Sequence, residues 1–122
     1  ASDLDGLQVI SACSMGAKIR VADIKYLLSN KVFLLSIERT KVETSQEDKR
    51  INSILRFNDV IKVKAKNIDQ KNKELIIELM AIDYLKNNND YEINLMFKNN
   101  AHITLVVEAL EILLEDQNEI KN

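Results

Sequence analysis

Proline is absent from the 122 residues, glycine occurs only at Gly6 and Gly16, and tryptophan does not occur. Cysteine and histidine are present once each, as Cys13 and His102. One cysteine excludes an internal disulfide framework and a cysteine-based zinc site, and a lone histidine beside it removes most nitrogen–sulfur metal sites. Two distant glycines cannot supply GxGxxG, the phosphate loop GxxxxGKS/T or the GxSxG elbow, and one histidine cannot supply HExxH. No apolar run reaches the ~18 residues of a membrane span, and no signal peptide is read at the start, so membrane insertion is not expected. Neither sign of charge dominates. Seventeen Lys+Arg against nineteen Asp+Glu give −2 and an isoelectric point near 5.5, which offers no general attraction for nucleic acid or an acidic lipid surface. These exclusions point to a reducing cytoplasm and no cofactor.

What the chain does contain is core-forming material: 46% hydrophobic and 30% charged residues, the mix of an ordinary globular protein. The length predicts a single domain over residues 1–122 that buries roughly two thirds of its unfolded surface. With proline and glycine scarce, asparagine takes over the punctuation. Asn30, Asn58, Asn67, Asn72, Asn87-Asn88-Asn89 and Asn99-Asn100 fall between apolar stretches, and asparagine tolerates the left-handed conformation of turns.

The spacing of Leu4, Leu7 and Ile10, with Val9 beside them, predicts a first helix that Ser2 or Asp3 caps and Gly16 ends. From Ala17 the period becomes two. Ile19 and Val21 alternate with Lys18 and Arg20, then Ile24, Tyr26 and Leu28 continue one step out of phase, so Ala22-Asp23 is a bulge or turn. Ser29-Asn30-Lys31 reads as a hairpin loop before Phe33, Leu35 and Ile37. Thr44 to Arg50 is polar enough for a mobile loop. Leu55, Phe57, Ile61, Val63 and Ala65 then alternate with Arg56, Lys62, Lys64 and Lys66, and Asn58-Asp59 is either a hairpin or a bulge in one long strand. Leu75 to Tyr84 is apolar on both parities, as in a strand covered on both sides. Asn87 to Asp90 turns the chain into Tyr91, Ile93, Leu95 and Phe97, and Asn99-Asn100 into Ile103, Leu105 and Val107. The spacing of Val107, Leu110, Leu113, Leu114 and Gln117 predicts a closing helix.

Hairpin-length connections forbid parallel crossovers. The expectation is an α+β fold: a bent antiparallel sheet or partly closed barrel of six to seven strands between an N-terminal and a C-terminal helix. A pleckstrin-homology-like arrangement is favoured over a flatter open sheet with both helices on one face.

Few residues point to chemistry. His102 lies beside a hairpin turn with no partner motif, and Cys13 near a helix C-terminus is disfavoured as a thiolate and reads as a small buried residue. Asp23, Asp59 and Asp69 stand at strand breaks, where aspartate ordinarily accepts backbone N–H groups. Together with Glu108 they are also the residues a small carboxylate- or metal-dependent enzyme would use. Glu108 and Glu111 complement the positive end of the expected last helix. Lys62, Lys64 and Lys66 form a comb with ammonium groups ~7 Å apart on one strand face, Arg56 in line if the strand is continuous. The comb suits an anionic ligand; it also suits a solvated strand that discourages edge pairing.

Val9-Ile10-Ser11-Ala12, Val21-Ala22-Asp23-Ile24 and Ser53-Ile54-Leu55-Arg56-Phe57, followed by Val60, Val63 and Ile68-Asp69, resemble the DUF2948 family of small alphaproteobacterial proteins. Leu79-Met80-Ala81-Ile82, Leu95-Met96-Phe97 and the tail Ile103, Leu105, Val107-Glu108, Glu111, Leu114 and Asp116 extend the resemblance over nearly the whole chain. It implies no activity, cofactor or catalytic residue. Family glycines correspond to Ala22, Asn67, Asn99 and Asn100 here, the family aromatics at Thr40 and Val42 are missing, and His102 and Cys13 match no family His or Cys.

The function expected from all this is a non-catalytic cytoplasmic protein-binding or scaffold domain, with an unidentified protein partner or a second copy of itself. The alternative is an anion- or phosphate-binding module using Lys62, Lys64, Lys66 and Arg56.

Overall fold

The structure, a computed structural model, describes residues 2–42 and 48–119. The chain opens with helix α1, Leu4–Ser14. Asp3 caps it, its Oδ1 accepting the Gly6 N–H at 2.8 Å, one of the donors that a helix start leaves unpaired. Gly16, at φ 84°, ends it and donates its N–H to the Leu79 carbonyl at 2.7 Å. The face turned inward carries Leu7 and Ser14, with Ile10 and Ser11 half-buried. Cys13 and Val9 lie on the other side and are exposed; Cys13 is therefore not the buried residue expected, because the 3.6-residue period that buries 7, 10, 11 and 14 leaves 13 outside.

Nine strands follow in one antiparallel sheet among the described residues: β1 Lys18–Arg20, β2 Ile24–Leu27, β3 Val32–Val42, β4 Asp48–Phe57, β5 Val60–Lys66, β6 Ile76–Asn87, β7 Asp90–Phe97, β8 Ala101–Val107 and β9 Ile112–Glu119. Their order is β5-β8-β7-β6-β1-β3-β4-β9, with β2 beside β3 and off that path. The strand number thus exceeds the expected six to seven. The break at Ala22-Asp23 is a single 3₁₀ turn, Val21–Asp23. β1 is held between β3 and β6; past the turn, β2 stays on β3 and has no strand on its other side among the described residues. That step leaves a seam in the sheet.

Asn58-Asp59 is neither a hairpin nor a simple bulge. β4 pairs with β3 and β9, whereas β5 pairs with β8, so the chain turns from one wing of the sheet to the other between the two strands, with Asp59 at φ 58°. The chain from β8 to β9 makes the same passage alongside. The Asn58 N–H donates to the Glu111 carbonyl at 3.1 Å and the Glu108 N–H to the Asp59 carbonyl at 2.9 Å, which ties the two passages into a corner.

The C-terminal helix does not form; its residues are β9. Leu110 and Ile112 are buried and Leu114 half-buried, while Leu113 is exposed. That is a period of two, and the edge of β4 supplies the backbone partners that a helix would have made internally. With the helix goes the closing element of the pleckstrin-homology-like arrangement, and the sheet remains open. Of the expected loop Thr44 to Arg50, residues 44–47 lie outside those described, and Asp48–Arg50 already belong to β4. Arg50 is held there by its ion pair with Glu38, Nη1 to Oε1 at 2.9 Å.

The two wings enclose one core, with Phe33, Leu35, Leu55, Phe57, Leu79, Ile93, Leu95, Leu105 and Ile112 fully buried. Tyr26, Phe33 and Phe57 pack in succession near the corner as tilted rings, at centroid distances of 6.4 and 6.1 Å. The turns follow the asparagine reading: Asn67, Asn88, Asn99 and Asn100 take positive φ, and at Asn30 and Asn58 the neighbours Lys31 and Asp59 take it instead.

Candidate functional site

β5 enters the outer wing with a bulge between Val60 and Lys62. The extra residue, Ile61, shifts the phase, so that Val60 points into the core while Lys62, Lys64 and Lys66 all face solvent. Their partners across the ladder are Val106, Thr104 and His102 of β8, and one strand further Glu92, Asn94 and Met96 of β7. The middle row is polar throughout: Lys64, then Thr104, whose Oγ1 donates to Asn94 Oδ1 at 3.1 Å. In the row beside it, His102 lies next to Lys66, its Nε2 3.1 Å from Asn100 Oδ1. None of the three ammonium groups has an ion-pair or hydrogen-bond partner among the described residues.

Arg56 does not extend the comb. It lies on β4 beyond the corner, opposite Leu34 and Leu113, and its Nε donates to Asn58 Oδ1 at 2.9 Å. Asn58 in turn donates to the Glu111 carboxylate. Glu111 therefore braces the corner rather than a helix end. Glu108 does likewise: its Oε1 accepts from Lys31 Nζ at 2.6 Å, and the Glu108 carboxylate at that hydrogen bond holds the Lys31 ammonium pKa above its usual 10.5.

The carboxylates at the strand breaks do not gather into one site. Asp23 pairs with Arg20 at 3.5 Å, Asp69 accepts the Lys71 N–H at 3.1 Å in a turn of its own, and Asp59 is in the corner. Among the described residues no group of three or more His, Cys, Asp and Glu side chains converges as metal ligands would.

One polar cluster escaped the sequence reading. Arg39, Ser53 and Asp116 lie on β3, β4 and β9 on the parity that elsewhere carries Phe33, Leu35, Ile37, Leu55 and Ile112. Arg39 Nη2 donates to Asp116 Oδ1 at 2.8 Å and Nε to Ser53 Oγ at 3.1 Å, while Ser53 Oγ donates to the same Asp116 oxygen at 2.7 Å. Arg39 and Ser53 are buried. A charged residue on an otherwise apolar parity was the signal available. The hydroxyl faces a carboxylate and a guanidinium with no imidazole beside it, an arrangement that locks three strands together rather than one that activates a nucleophile.

Against this geometry, the family model described as "Protein of unknown function (DUF2948)" matches residues 1–122. The chain belongs to the DUF2948 family. No curated protein and no solved structure gives a match. Membership extends over both wings of the sheet, the corner and the lysine comb alike, and the family's description assigns none of them a role. No helix among the described residues is long and apolar enough to cross a membrane.

Proposed function

We propose that this DUF2948 member is a non-catalytic binding domain that holds an acidic segment of a partner protein on the outer face of β5 and β8. The observation that carries this reading is the lysine comb: three exposed ammonium groups at a ~7 Å pitch on one strand, with no carboxylate of the chain itself engaging them among the described residues. Such a row raises the local potential even where the net charge is negative. A reducing cytoplasm suits a chain whose one thiol, Cys13, is exposed.

Thr104 and His102 support a second reading in which the same face takes a phosphate-type anion, since a hydroxyl and an imidazole stand next to Lys64 and Lys66 across the ladder. One titration addresses both. A fluorescent oligoglutamate of about eight residues, which spans ~26 Å when extended and so reaches past all three lysines, is followed by anisotropy beside tripolyphosphate as competitor. The expected result is oligoglutamate binding that weakens as salt rises and is lost on Lys64→Glu. Displacement by tripolyphosphate at equal charge concentration assigns the face to small anions instead. Binding that ignores salt, or is absent, disposes of both readings.

A further inference from the structure

We propose that the seam between β2 and β5 is a binding pocket for a small molecule with an apolar body and an anionic head. The seam exists because β2 leaves the sheet path after the 3₁₀ turn, so that among the described residues β2 and β5 each present an unpaired edge. The space between them is about 330 Å³, at the lower end of the ~300–1,000 Å³ typical of small-molecule sites. Ile24 and Tyr26 of β2 form one wall, Val63 and Ala65 of β5 the other, and Phe33 and Ile103 complete the apolar lining from the core. The remaining polar contribution comes from Gln70 and Lys73, and among the described residues no carboxylate lines the space. Lys73 has no ion-pair partner among the described residues, so its ammonium is available to a ligand's anionic group.

The backbone decides between a compact ligand and an added strand. Near the corner the seam is pinned by the Val60 N–H to the Lys31 carbonyl at 2.8 Å and by the Tyr26 hydroxyl to the Val60 carbonyl at 3.0 Å. At its other end the Val21 and Ala22 N–H groups donate to the Leu75 and Lys73 carbonyls at 2.9 and 3.0 Å. The segment carrying Gln70 and Lys73 is itself knitted by Asn72 N–H to the Asp69 carbonyl and Leu75 N–H to the Asn72 carbonyl. A peptide strand running between β2 and β5 would have to break both sets of pins, whereas a short acyl or aryl carboxylate enters between them. A larger hollow among the described residues, about 520 Å³, is lined by Lys18 and Arg20 but also by Asp23 and Glu38, and selects neither sign of charge.

This pocket is on the opposite face of β5 from the lysine comb, so the two readings stand or fall separately. The experiment titrates octanoate, octanol and octylamine into the ¹⁵N-labelled protein, following amide shifts. Octanoate is expected to saturate, shifting Ile24, Tyr26, Val63 and Ile103, and to bind more tightly than octylamine. Lys73→Gln is expected to weaken octanoate about tenfold, the worth of one charge-assisted hydrogen bond, and to leave octanol unaffected. Ala65→Trp fills the space and abolishes binding, while Lys64→Glu on the other face leaves it unchanged. No saturable octanoate binding, shifts confined to other strands of the wild type, or full binding by a folded Ala65→Trp protein would each overturn the proposal.

Discussion

Replacing Asp116 with alanine strands the guanidinium of Arg39 in the far end of the core. The Arg39 side chain is only 9% exposed, whereas that of Asp116 is 36% exposed. The two partners are therefore not equivalent when one is removed. Breaking a buried ion pair ordinarily costs ~3–5 kcal/mol, chiefly because the surviving charge is left without solvent or partner. For Asp116→Ala the survivor is Arg39, which among the described residues keeps the Ser53 oxygen at 3.1 Å, so the low end of that range, about 3 kcal/mol, applies. For Arg39→Met the survivor is a carboxylate that still accepts from Ser53 at 2.7 Å and reaches water. Methionine also replaces much of the buried stem, so the expected cost is about 1 kcal/mol, that of the hydrogen bonds lost. Urea unfolding with the slope checked for constancy measures both. On the thermal scale the variants should fall by roughly 12 and 4 °C, at about 4 °C per kcal/mol for a chain of this size. The double variant Arg39→Met with Asp116→Leu should recover most of the loss, since an apolar pair replaces an ionic one without leaving a lone charge. Greater damage from Arg39→Met than from Asp116→Ala, or a double variant worse than either, would rule out a stranded guanidinium as the source of the loss.

Two further outcomes follow from the turns and the corner. Asn88 has φ 58° and is exposed, so Asn88→Ala should cost about 1 kcal/mol and Asn88→Gly be neutral or slightly stabilising in the same urea assay; equal loss in both would mean that the asparagine side chain, not its backbone, matters. The Lys31–Glu108 pair gives a pH signature. Because folding raises the Lys31 pKa above 10.5, its contribution is complete below that pH and disappears as pH climbs through the folded-state value. The melting-temperature gap between wild type and Lys31→Met should thus be steady from neutral pH to about 9 and narrow beyond the usual lysine pKa of about 10.4; a gap that widens on the alkaline side contradicts the sign.

Much of this fold could be read from residue order because one side of most strands is dry. Phe33-Leu35-Ile37 and Ile93-Leu95-Phe97 leave a single register for the core, and asparagine marks the turns at Asn67, Asn88 and Asn99-Asn100. Where two periods fit the same residues, their order alone does not choose between helix and strand. Leu110, Leu113, Leu114 and Gln117 satisfy a helical stripe, yet Leu110, Ile112 and Leu114 satisfy a strand, and the deciding factor was the unpaired edge of β4, some sixty residues earlier in the chain. Long-range pairing of that kind leaves no local trace. The corner at Asn58-Asp59 was hidden for the same reason, and with it the separation of Arg56 from the lysine comb. The comb itself was legible as a spacing of two on Lys62, Lys64 and Lys66. That no carboxylate engages it among the described residues, and that β2 leaves a pocket behind the same strand, emerge only from the topology.

If the charge on β5 selects the partner, as we propose, reversing that charge reverses the selection. Fluorescent oligoglutamate and oligolysine, titrated against wild type and against the Lys62→Glu, Lys64→Glu, Lys66→Glu protein, should exchange their preferences: the acidic peptide held only by wild type, the basic one only by the variant. Oligoglutamate bound equally by both proteins would contradict it.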